Sequence, residues 1–362
     1  MELLIPPVAA PLIGLVIGFC CGAAARRARM CSFGAIEDAV AGGDFLRLRA
    51  FALALAIAVA GTQLLIGLNL LPAVDIALLP PRFPWAGALV GGCFFGLGMA
   101  LVGTCTFGAL VRLGGGDLRA LVVLIVFAAV VWATVSGPLS IIRLRLLDPL
   151  APTLETGGGT TLPVMIGGAG VALVLIPAAL VALLALWALA ERRLRRSRSY
   201  LLFGLAMGGG VIAGWLVTGV LVDAFEATPR PQGLSFVTPV ARLMQALVLQ
   251  PGPAVDFAIA SVVGVPLGAV VSAARMGETR LEAFDDAREM IRHLLGALLM
   301  GTGGVWAGGC TIGQGLSAGS LLAPSMPLAV GGIFAGAWVG ILILLEGGPG
   351  AAVQHWIARL RA

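Results

Sequence analysis

Long apolar runs, separated by short polar segments, dominate the pattern of this chain. Nine runs have the length that an α-helix needs to cross a bilayer, about 17–25 residues. They cover residues 8–25, 50–68, 85–103, 119–137, 164–189, 201–221, 255–273, 290–307 and 327–346. The pattern therefore predicts an all-α polytopic membrane protein with about nine transmembrane helices.

The polar segments between the runs predict two smaller features. The proline-rich stretch 226–253 is expected to be a loop outside the membrane that contains one short helix. The stretch Arg275–Arg292 mixes acidic side chains with arginine, and it is expected to be a short solvated helix. Because neither stretch can fold as a separate soluble unit, residues 1–362 are predicted to form a single transmembrane domain.

The composition supports this class and excludes several others. Hydrophobic residues make up 59% of the 362 positions and charged residues only 11%, whereas charged residues are about a quarter of a globular chain. The 52 glycines suit helices that pack closely in lipid. Without lysine there is no Walker A loop, and with two histidines no histidine-rich metal site is expected. We expect no cofactor and no nucleic-acid partner, because no folded face remains to present a basic patch.

Arginine supplies all 23 basic side chains, and its distribution predicts the topology. Positively charged side chains concentrate in the cytoplasmic loops of membrane proteins. If the N-terminus lies outside, 18 of the arginines fall in the cytoplasm and five outside. The chain is therefore predicted to have a periplasmic N-terminus and a cytoplasmic C-terminus.

A weak internal repeat relates the two halves of the chain. Aligning Cys105 with Cys310 gives seven identities in nineteen positions. The two cysteines follow the third and the eighth run, an odd offset, so the second copy is predicted to be inverted relative to the first. The expected organisation is a first repeat over about 1–150, a linking helix with an arginine cluster over 151–199, and an inverted second repeat over 200–362. Inverted repeats of this kind are common in transporters.

Three of the six cysteines share the form Cys-[Ser/Thr]-[Phe/Ile]-Gly, and each follows an apolar run. They begin the segments Cys31–Gly34, Cys105–Gly108 and Cys310–Gly313. The other three cysteines lie inside apolar runs and are interpreted as packing residues: Cys20, Cys21 and Cys93. Irregular backbone within a membrane is tolerated only where it is buried in protein or lines a cavity. We therefore expect the motifs after Cys105 and Cys310 to enter from opposite sides as re-entrant loops whose tips approach each other at the centre.

These motifs resemble the signatures of the YeeE/YedE family of bacterial inner-membrane proteins. The resemblance rests on Gly96–Gly116, Gly301–Ser317 and Arg29–Gly34, in the expected order, and it covers nearly the whole chain. It implies uptake of sulfur compounds, thiosulfate above all, by an hourglass of nine helices in inverted repeats. It also implies that Cys31, Cys105 and Cys310 are functional. The chain departs from the family pattern in the loop after the sixth run, near Thr218, which has no cysteine.

The resemblance has consequences for localisation and partners. It implies a multi-pass protein in the bacterial inner (plasma) membrane. Some relatives carry a fused sulfur-carrier domain, whereas this sequence ends at Ala362 without one. A separate cytosolic TusA-like sulfur carrier is therefore a candidate partner, alongside the substrate anion and the lipid bilayer.

The residues suggest how a dianion could pass without a fixed charge. No arginine lies between Gly103 and Gly108 or between Gly308 and Gln314, so backbone N–H groups at helix ends and weak thiol donors are expected to bind the anion. Predicted path residues are Cys31, Cys105, Cys310, Thr106, Thr311 and Gln314, with loop glycines Gly34, Gly103, Gly108, Gly308, Gly309 and Gly313.

The expected order is entry at Cys310, transfer to Cys105 and exit past Cys31 toward Arg26, Arg27 and Arg29. We interpret these arginines as topology determinants rather than as a substrate funnel, and Glu37 and Asp38 as solvated loop charges. Two alternatives remain open: transport of another sulfur or selenium species, and a covalent persulfide relay. The transport interpretation predicts that the protein is not an enzyme.

Overall fold

A computed structural model describes residues 9–71, 76–153, 160–167, 170–221, 231–249 and 255–345. These residues form helices and contain no β-strand. Eight helical stretches among them are long and apolar enough to cross a membrane: Ala9–Ala41, Leu46–Gly67, Trp85–Gly114, Leu118–Val135, Ala172–Leu189, Arg198–Val220, Phe257–Met276 and Ser325–Leu345. The predicted class, an all-α polytopic membrane protein, is confirmed.

The first half of the chain contains eight helices, two of which follow a cysteine motif. In chain order they are α1 (Ala9–Arg27), α2 (Ser32–Ala41), α3 (Leu46–Gly67), α4 (Trp85–Val102), α5 (Thr106–Gly114), α6 (Leu118–Val135), α7 (Ser140–Ile142) and α8 (Leu162–Met165). A π-helical turn over Arg143–Leu147 continues α7, and a 3₁₀ turn over Asp148–Leu150 follows it. The long helices α1, α3, α4 and α6 coincide with the first four predicted runs.

The second half contains seven helices. They are α9 (Ala172–Leu189), α10 (Arg192–Arg196), α11 (Arg198–Leu216), α12 (Thr238–Leu249), α13 (Phe257–Met276), α14 (Ala287–Trp306) and α15 (Ser325–Leu345). Two π-helical turns accompany them, over Val217–Leu221 and Gly313–Ala318. α12 is the one short helix predicted within 226–253, of which 226–230 and 250–253 lie outside the described residues.

Two sequence-based expectations are wrong in detail. The stretch Arg275–Arg292 does not form a separate solvated helix, because 277–286 is non-helical and α14 begins at Ala287. The run 164–189 is not one helix either. Gly167 and Gly170 adopt left-handed φ angles of 82° and 56°, which interrupt the helix between α8 and α9.

The predicted run 290–307 forms α14 but is not among the eight apolar stretches. The helix has 20 residues, yet its first turns carry Arg288, Glu289, Arg292 and His293. Only the part after His293, from about the third turn onward, is apolar. Its length and its place between other helices still make it part of the bundle, since it packs against both α4 and α6.

Glycines set the distances between the most closely packed helices. α1 packs chiefly against α13, and a Cβ atom at Gly268 would lie 1.9 Å from the Phe19 carbonyl oxygen. A Cβ atom at Gly22 would lie 2.0 Å from the Val265 carbonyl oxygen. Small residues at such crossings let backbones approach, which is how helices gain packing energy in lipid. Equivalent contacts join α4 to α15, where a Cβ atom at Gly336 would lie 2.0 Å from the Cys93 carbonyl oxygen.

We predict that Gly268→Ala lowers thermal stability while Gly209→Ala does not. The new methyl group at position 268 collides with backbone of α1, and overpacking of this kind costs about 1–3 kcal/mol. Gly209 is also helical, but nothing lies within 4 Å of its Cβ position. Size-exclusion chromatography of detergent-solubilised protein after heating measures both variants. Equal melting temperatures for the two variants would contradict the proposed close contact.

Candidate functional site

Each patterned cysteine stands immediately before a helical turn. Cys31 is the N-cap of α2 and Cys105 the N-cap of α5, both with extended backbone. The Gly108 N–H donates to the Cys105 sulfur at 3.3 Å, and the Gly313 N–H donates to the Cys310 sulfur at 3.5 Å. N-cap positions normally carry oxygen side chains, so thiols here leave N–H groups of the first turn only weakly bonded.

Left-handed glycines return the chain toward the cysteines. Gly103 ends α4 with φ 75°, and Gly308 follows α14 with φ 74°. Only glycine adopts this conformation at no steric cost, which explains why glycine stands two residues before both Cys105 and Cys310. The two predicted loop positions are therefore turns that separate a long helix from the half-helix after it.

The segment that begins α2 joins the two cysteine loops. The Cys31 sulfur and the Thr104 hydroxyl are 3.3 Å apart, and the Cys31 and Cys105 thiols are neighbours. On the other side, the hydroxyl oxygens of Ser32 and Thr311 are 2.9 Å apart. Two adjacent residues, Cys31 and Ser32, thus contact both the Cys105 loop and the Cys310 loop. The hydrogen bonds that link the Cys105 loop to the Cys310 loop thus run through this third segment.

Cys310 lies apart from the other two thiols. It is fully buried, and the backbone of Phe236 lies against its sulfur. The Phe236 ring in turn packs against Phe107, with centroids 5.1 Å apart. No hydrogen bond joins Cys310 to Cys31 or Cys105 in the described part of the chain. The connection between them runs through Thr311 and Ser32.

The remaining predicted path residues have different surroundings. Gln314 is buried, its Oε1 accepts from the Ser325 hydroxyl at 3.3 Å, and its Nε2 lies 3.0 Å from the Cβ position of Gly308. It therefore braces the loop at Gly308 and Gly309. The Thr106 hydroxyl is buried and finds no hydrogen-bond partner among the described residues. It is thus a donor left available at the start of α5.

The surroundings of Gly108 and Gly313 are similar in a way that the sequence motifs did not reveal. A Cβ atom at Gly108 would lie 2.2 Å from the Thr104 hydroxyl oxygen and 3.2 Å from the Cys31 sulfur. At Gly313 it would lie 3.1 Å from the Ser235 hydroxyl oxygen. Ser235 thus covers Gly313 as Cys31 covers Gly108.

Ser235 occupies the loop in which no cysteine was found, and the chain offers one signal for it. The dipeptide Ser235-Phe236 repeats Ser32-Phe33 in the first half. The loop is tied to the preceding helix, because the Thr218 hydroxyl donates to the Gln232 carbonyl oxygen at 2.9 Å and accepts from the Gln232 N–H at 2.8 Å. The dipeptide aligns Ser235 with Ser32, whereas in the packing its hydroxyl lies over Gly313 as the Cys31 thiol lies over Gly108.

Separate cavities approach the cysteine loops, and they share no lining residue. The first, which we call the arginine cavity, has a volume of about 340 Å³ and is lined by Cys31, Gly34, Thr104 and Gly108 together with Arg26, Arg29, Arg47, Arg112, Glu37 and Glu278. The second, which we call the serine cavity, has a volume of about 290 Å³. Its lining includes Ser235, Gly308, Ser317 and Arg242. The meeting point of Ser32 and Thr311 lies in the lining of neither.

The cysteines interpreted as packing residues lie elsewhere. All six cysteines are free. Cys21 is buried in α1 and donates to the Ala206 carbonyl oxygen at 3.3 Å, whereas Cys20 is exposed on the same helix. Within the described residues no group of histidine, cysteine and acidic side chains is arranged to hold a metal ion.

The fold and this site define a polytopic membrane protein in which three segments that carry free cysteines contact one another inside the helical bundle. Residues 27–339 match the family described as Sulphur transport, and the chain belongs to that family. It is 27% identical over 323 residues to the thiosulfate transporter TsuA of Escherichia coli (strain K12), covering 84% of this chain and 86% of that protein. It is 29% identical over 345 residues to the thiosulfate transporter TsuA of Spirochaeta thermophila, covering 92% and 98% respectively.

We predict that the Ser32–Thr311 hydrogen bond is energetically coupled. Ser32→Ala or Thr311→Val alone leaves one buried hydroxyl unpaired, which costs about 1–3 kcal/mol. The double variant removes both groups, so it should cost less than the sum of the single variants.

Thr62→Val is the matched control, because the Thr62 hydroxyl is buried and unpartnered among the described residues, and its removal should not destabilise. The double-mutant cycle compares the free energies of unfolding of the wild type, the two single variants and the double variant, each measured in mixed detergent micelles. Strictly additive losses would show that the two hydroxyls do not interact.

Proposed function

We propose that this protein takes up thiosulfate, or a closely related small sulfur-containing anion, across the bacterial inner membrane through a path lined by Cys31, Cys105 and Cys310. The observation that carries the proposal is the arrangement of the three motif cysteines as free thiols in a chain of the sulphur transport family. The Cys31 and Cys105 thiols are neighbours, and the Ser32–Thr311 hydrogen bond links them to the loop that holds Cys310. The names of the two relatives support thiosulfate as the substrate.

The chemistry of the site suits reversible binding of such an anion. A bare dianion is costly to transfer into an apolar medium, so donors must replace its water. The first turns of α2 and α5 and the turn after Cys310 offer backbone N–H groups, and helix N-termini favour negative charge. Thiols add weak donors. Conduction needs binding that is favourable enough for entry and weak enough for release.

The cavities suggest the order of events. The anion enters the serine cavity, which reaches Gly308 beside Cys310. It then passes the meeting point of Thr311 and Ser32 and reaches Cys105 and Cys31. From Cys31 it leaves into the arginine cavity. The Ser32 and Thr311 hydroxyls bond to each other, so on this proposal they must separate and donate to the anion as it passes.

We further propose the inverted-repeat organisation and the topology expected from the arginines, with a periplasmic N-terminus and a cytoplasmic C-terminus. The helix packing supports the repeat. Suppose that α11, α13, α14 and α15 are the second copies of α1, α3, α4 and α6, in that order. The packed pair α1 and α13 then corresponds to the packed pair α11 and α3, and the pair α4 and α15 corresponds to the pair α14 and α6. The arginine cavity then faces the cytoplasm, where a separate TusA-like sulfur carrier would receive the anion.

A covalent persulfide relay is the second candidate, because the Cys31 and Cys105 thiols are neighbours. In it a cysteine thiolate attacks the outer sulfur of thiosulfate, so that the S–S bond of thiosulfate breaks, a cysteine persulfide forms and sulfite leaves. Serine substitution separates the two mechanisms. A hydroxyl still donates a hydrogen bond but forms no persulfide. Partial uptake by Cys105→Ser therefore favours hydrogen bonding, and complete loss in Cys105→Ser together with retention of labelled sulfur on the wild-type protein favours the relay.

We expect the wild-type protein to restore growth on thiosulfate as sole sulfur source in a bacterium that lacks thiosulfate uptake. Cys310→Ala should abolish this growth because it removes the donor at the serine-cavity end of the path. Cys93→Ala is the matched control, since Cys93 lies within α4 away from the three motifs. Immunoblots of membranes establish equal expression. Failure of the well-expressed wild type would refute thiosulfate as substrate, and full growth with Cys310→Ala would remove Cys310 from the path.

We also expect Thr106→Val to reduce initial uptake of labelled thiosulfate by about tenfold, because one hydrogen bond to a charged group contributes about 1.5–3 kcal/mol. Thr106→Ser should retain most of the activity. Thr62→Val removes another buried, unpartnered hydroxyl and should leave uptake unchanged. The hypothesis that Thr106 donates to the anion fails if Thr106→Val transports as fast as Thr62→Val.

A further inference from the structure

We propose that Arg112 forms a binding site for a small divalent oxyanion in the arginine cavity, and that the Glu278 carboxylate competes with the anion for the arginines there. The inference rests on the proposed function for the sulfur chemistry of the ligand. Beyond the proposed function, it assigns a fixed positive charge, Arg112, to the place where the anion leaves the cysteines, and a competing carboxylate, Glu278, to the same place. Sequence reasoning interpreted the arginines of this region as topology determinants.

Arg112 lines the arginine cavity together with Cys31 and Thr104. It lies in the last turn of α5, whose first turn is capped by Cys105, and its charge acts on the Cys31 thiol. Its Nη2 donates to the Gly103 carbonyl oxygen at 2.8 Å, which fixes the side chain at the wall of the cavity. Among the described residues no carboxylate forms an ion pair with it. The remaining N–H groups of a planar fork suited to oxyanions are therefore available.

The arginine cavity as a whole has an excess of positive charge. Four arginines and two carboxylates line it. Arg47 is paired with Asp38, at 3.3 Å, and its guanidinium lies over the bare α-carbon of Gly34. Glu37 is exposed and forms no ion pair in the described part of the chain. An anion that leaves the cysteines thus meets a region of positive potential, and the low dielectric constant of the cavity walls strengthens this potential.

The Glu278 carboxylate already neutralises part of this positive charge. Its carboxylate pairs with Arg29 and approaches Arg26 at 3.8 Å, and its carbonyl oxygen accepts from Arg26 Nη2 at 3.0 Å. The Arg26 Nε is buried and has no partner among the described residues. One nitrogen of this guanidinium group is thus unsatisfied while its neighbour is paired, and a bound anion would supply the missing acceptor.

The backbone around Glu278 holds it at this place. Glu278 follows Gly277, which ends α13 with φ 67°, and the next residues pair with the end of α5, where the Arg280 N–H donates to the Gly115 carbonyl oxygen at 3.2 Å. Arg26 lies directly on Gly115, 2.7 Å from its Cβ position. The competitor and the end of α5 are therefore fixed relative to each other, and only side chains need to move when an anion arrives.

A protection assay on purified full-length protein in lipid nanodiscs tests the site, because both faces are then accessible. A water-soluble maleimide should alkylate Cys31, which is partly exposed and lines the cavity, in preference to the buried Cys105 and Cys310. Peptide mass spectrometry identifies the modified cysteine. Thiosulfate and, separately, sulfate are added as protecting anions.

We expect thiosulfate to protect Cys31 in the wild-type protein. Arg112→Gln should require on the order of tenfold more anion for half-protection, the effect of losing one charge-assisted contact. Glu278→Gln should require less anion than wild type, because Arg26 and Arg29 lose their competitor. Arg195→Gln is the matched control: it removes the same charge from α10, and Arg195 does not line the cavity.

The outcomes distinguish the site from the proposed substrate. Equal half-protection concentrations for wild type and Arg112→Gln, with thiosulfate transport intact, would overturn the site and leave the proposed function standing. Protection by sulfate but not by thiosulfate, still dependent on Arg112, would support an oxyanion site and contradict thiosulfate as its ligand. Weaker protection in Glu278→Gln than in wild type would overturn the competitor role.

Discussion

Within a bilayer, backbone N–H and C=O groups that leave helical hydrogen bonding must find partners inside the protein. This constraint shapes the whole structure, because the three cysteine motifs each interrupt a helix. The interruptions are enclosed by helices brought very close by glycine, as where Gly268 of α13 meets the backbone of Phe19 in α1. Close packing of the outer helices and irregular backbone at the centre are therefore two parts of one arrangement.

The distribution of charge follows from the same constraint. The centre holds thiols, hydroxyls and helix-end N–H groups, while the guanidinium groups of Arg26, Arg29, Arg47 and Arg112 lie in a cavity at one side of it. A permanently charged side chain at the centre would be costly to bury and would hold a dianion too tightly. In the proposed path, weak donors carry the anion past Ser32 and Thr311, and fixed charges act only beyond Cys31.

Periodicity and length predicted the class and most helices, since apolar runs of membrane-spanning length are local signals. They misjudged 277–286, where acidic and basic side chains suggested a helix but the chain instead pairs with the end of α5. The three motif cysteines were found from their shared form. The role of Ser32 as the link to Thr311 was not, because a contact between residues 279 positions apart has no local signature. Ser235 was missed for a similar reason. It resembles Cys31 because its side chain lies over Gly313 as that of Cys31 lies over Gly108, and this packing depends on the fold.

The central claim is that the anion crosses where Ser32 meets Thr311. The most direct test is uptake of labelled thiosulfate into proteoliposomes by a Ser32→Cys/Thr311→Cys double variant, before and after reduction. The hydroxyl oxygens are 2.9 Å apart, so the introduced thiols should form a bridge on oxidation. The account predicts uptake in the reduced protein, loss of uptake on oxidation and recovery with reductant, with neither single variant sensitive to oxidation. Unchanged uptake in fully cross-linked protein would contradict it, because the anion would then take another route.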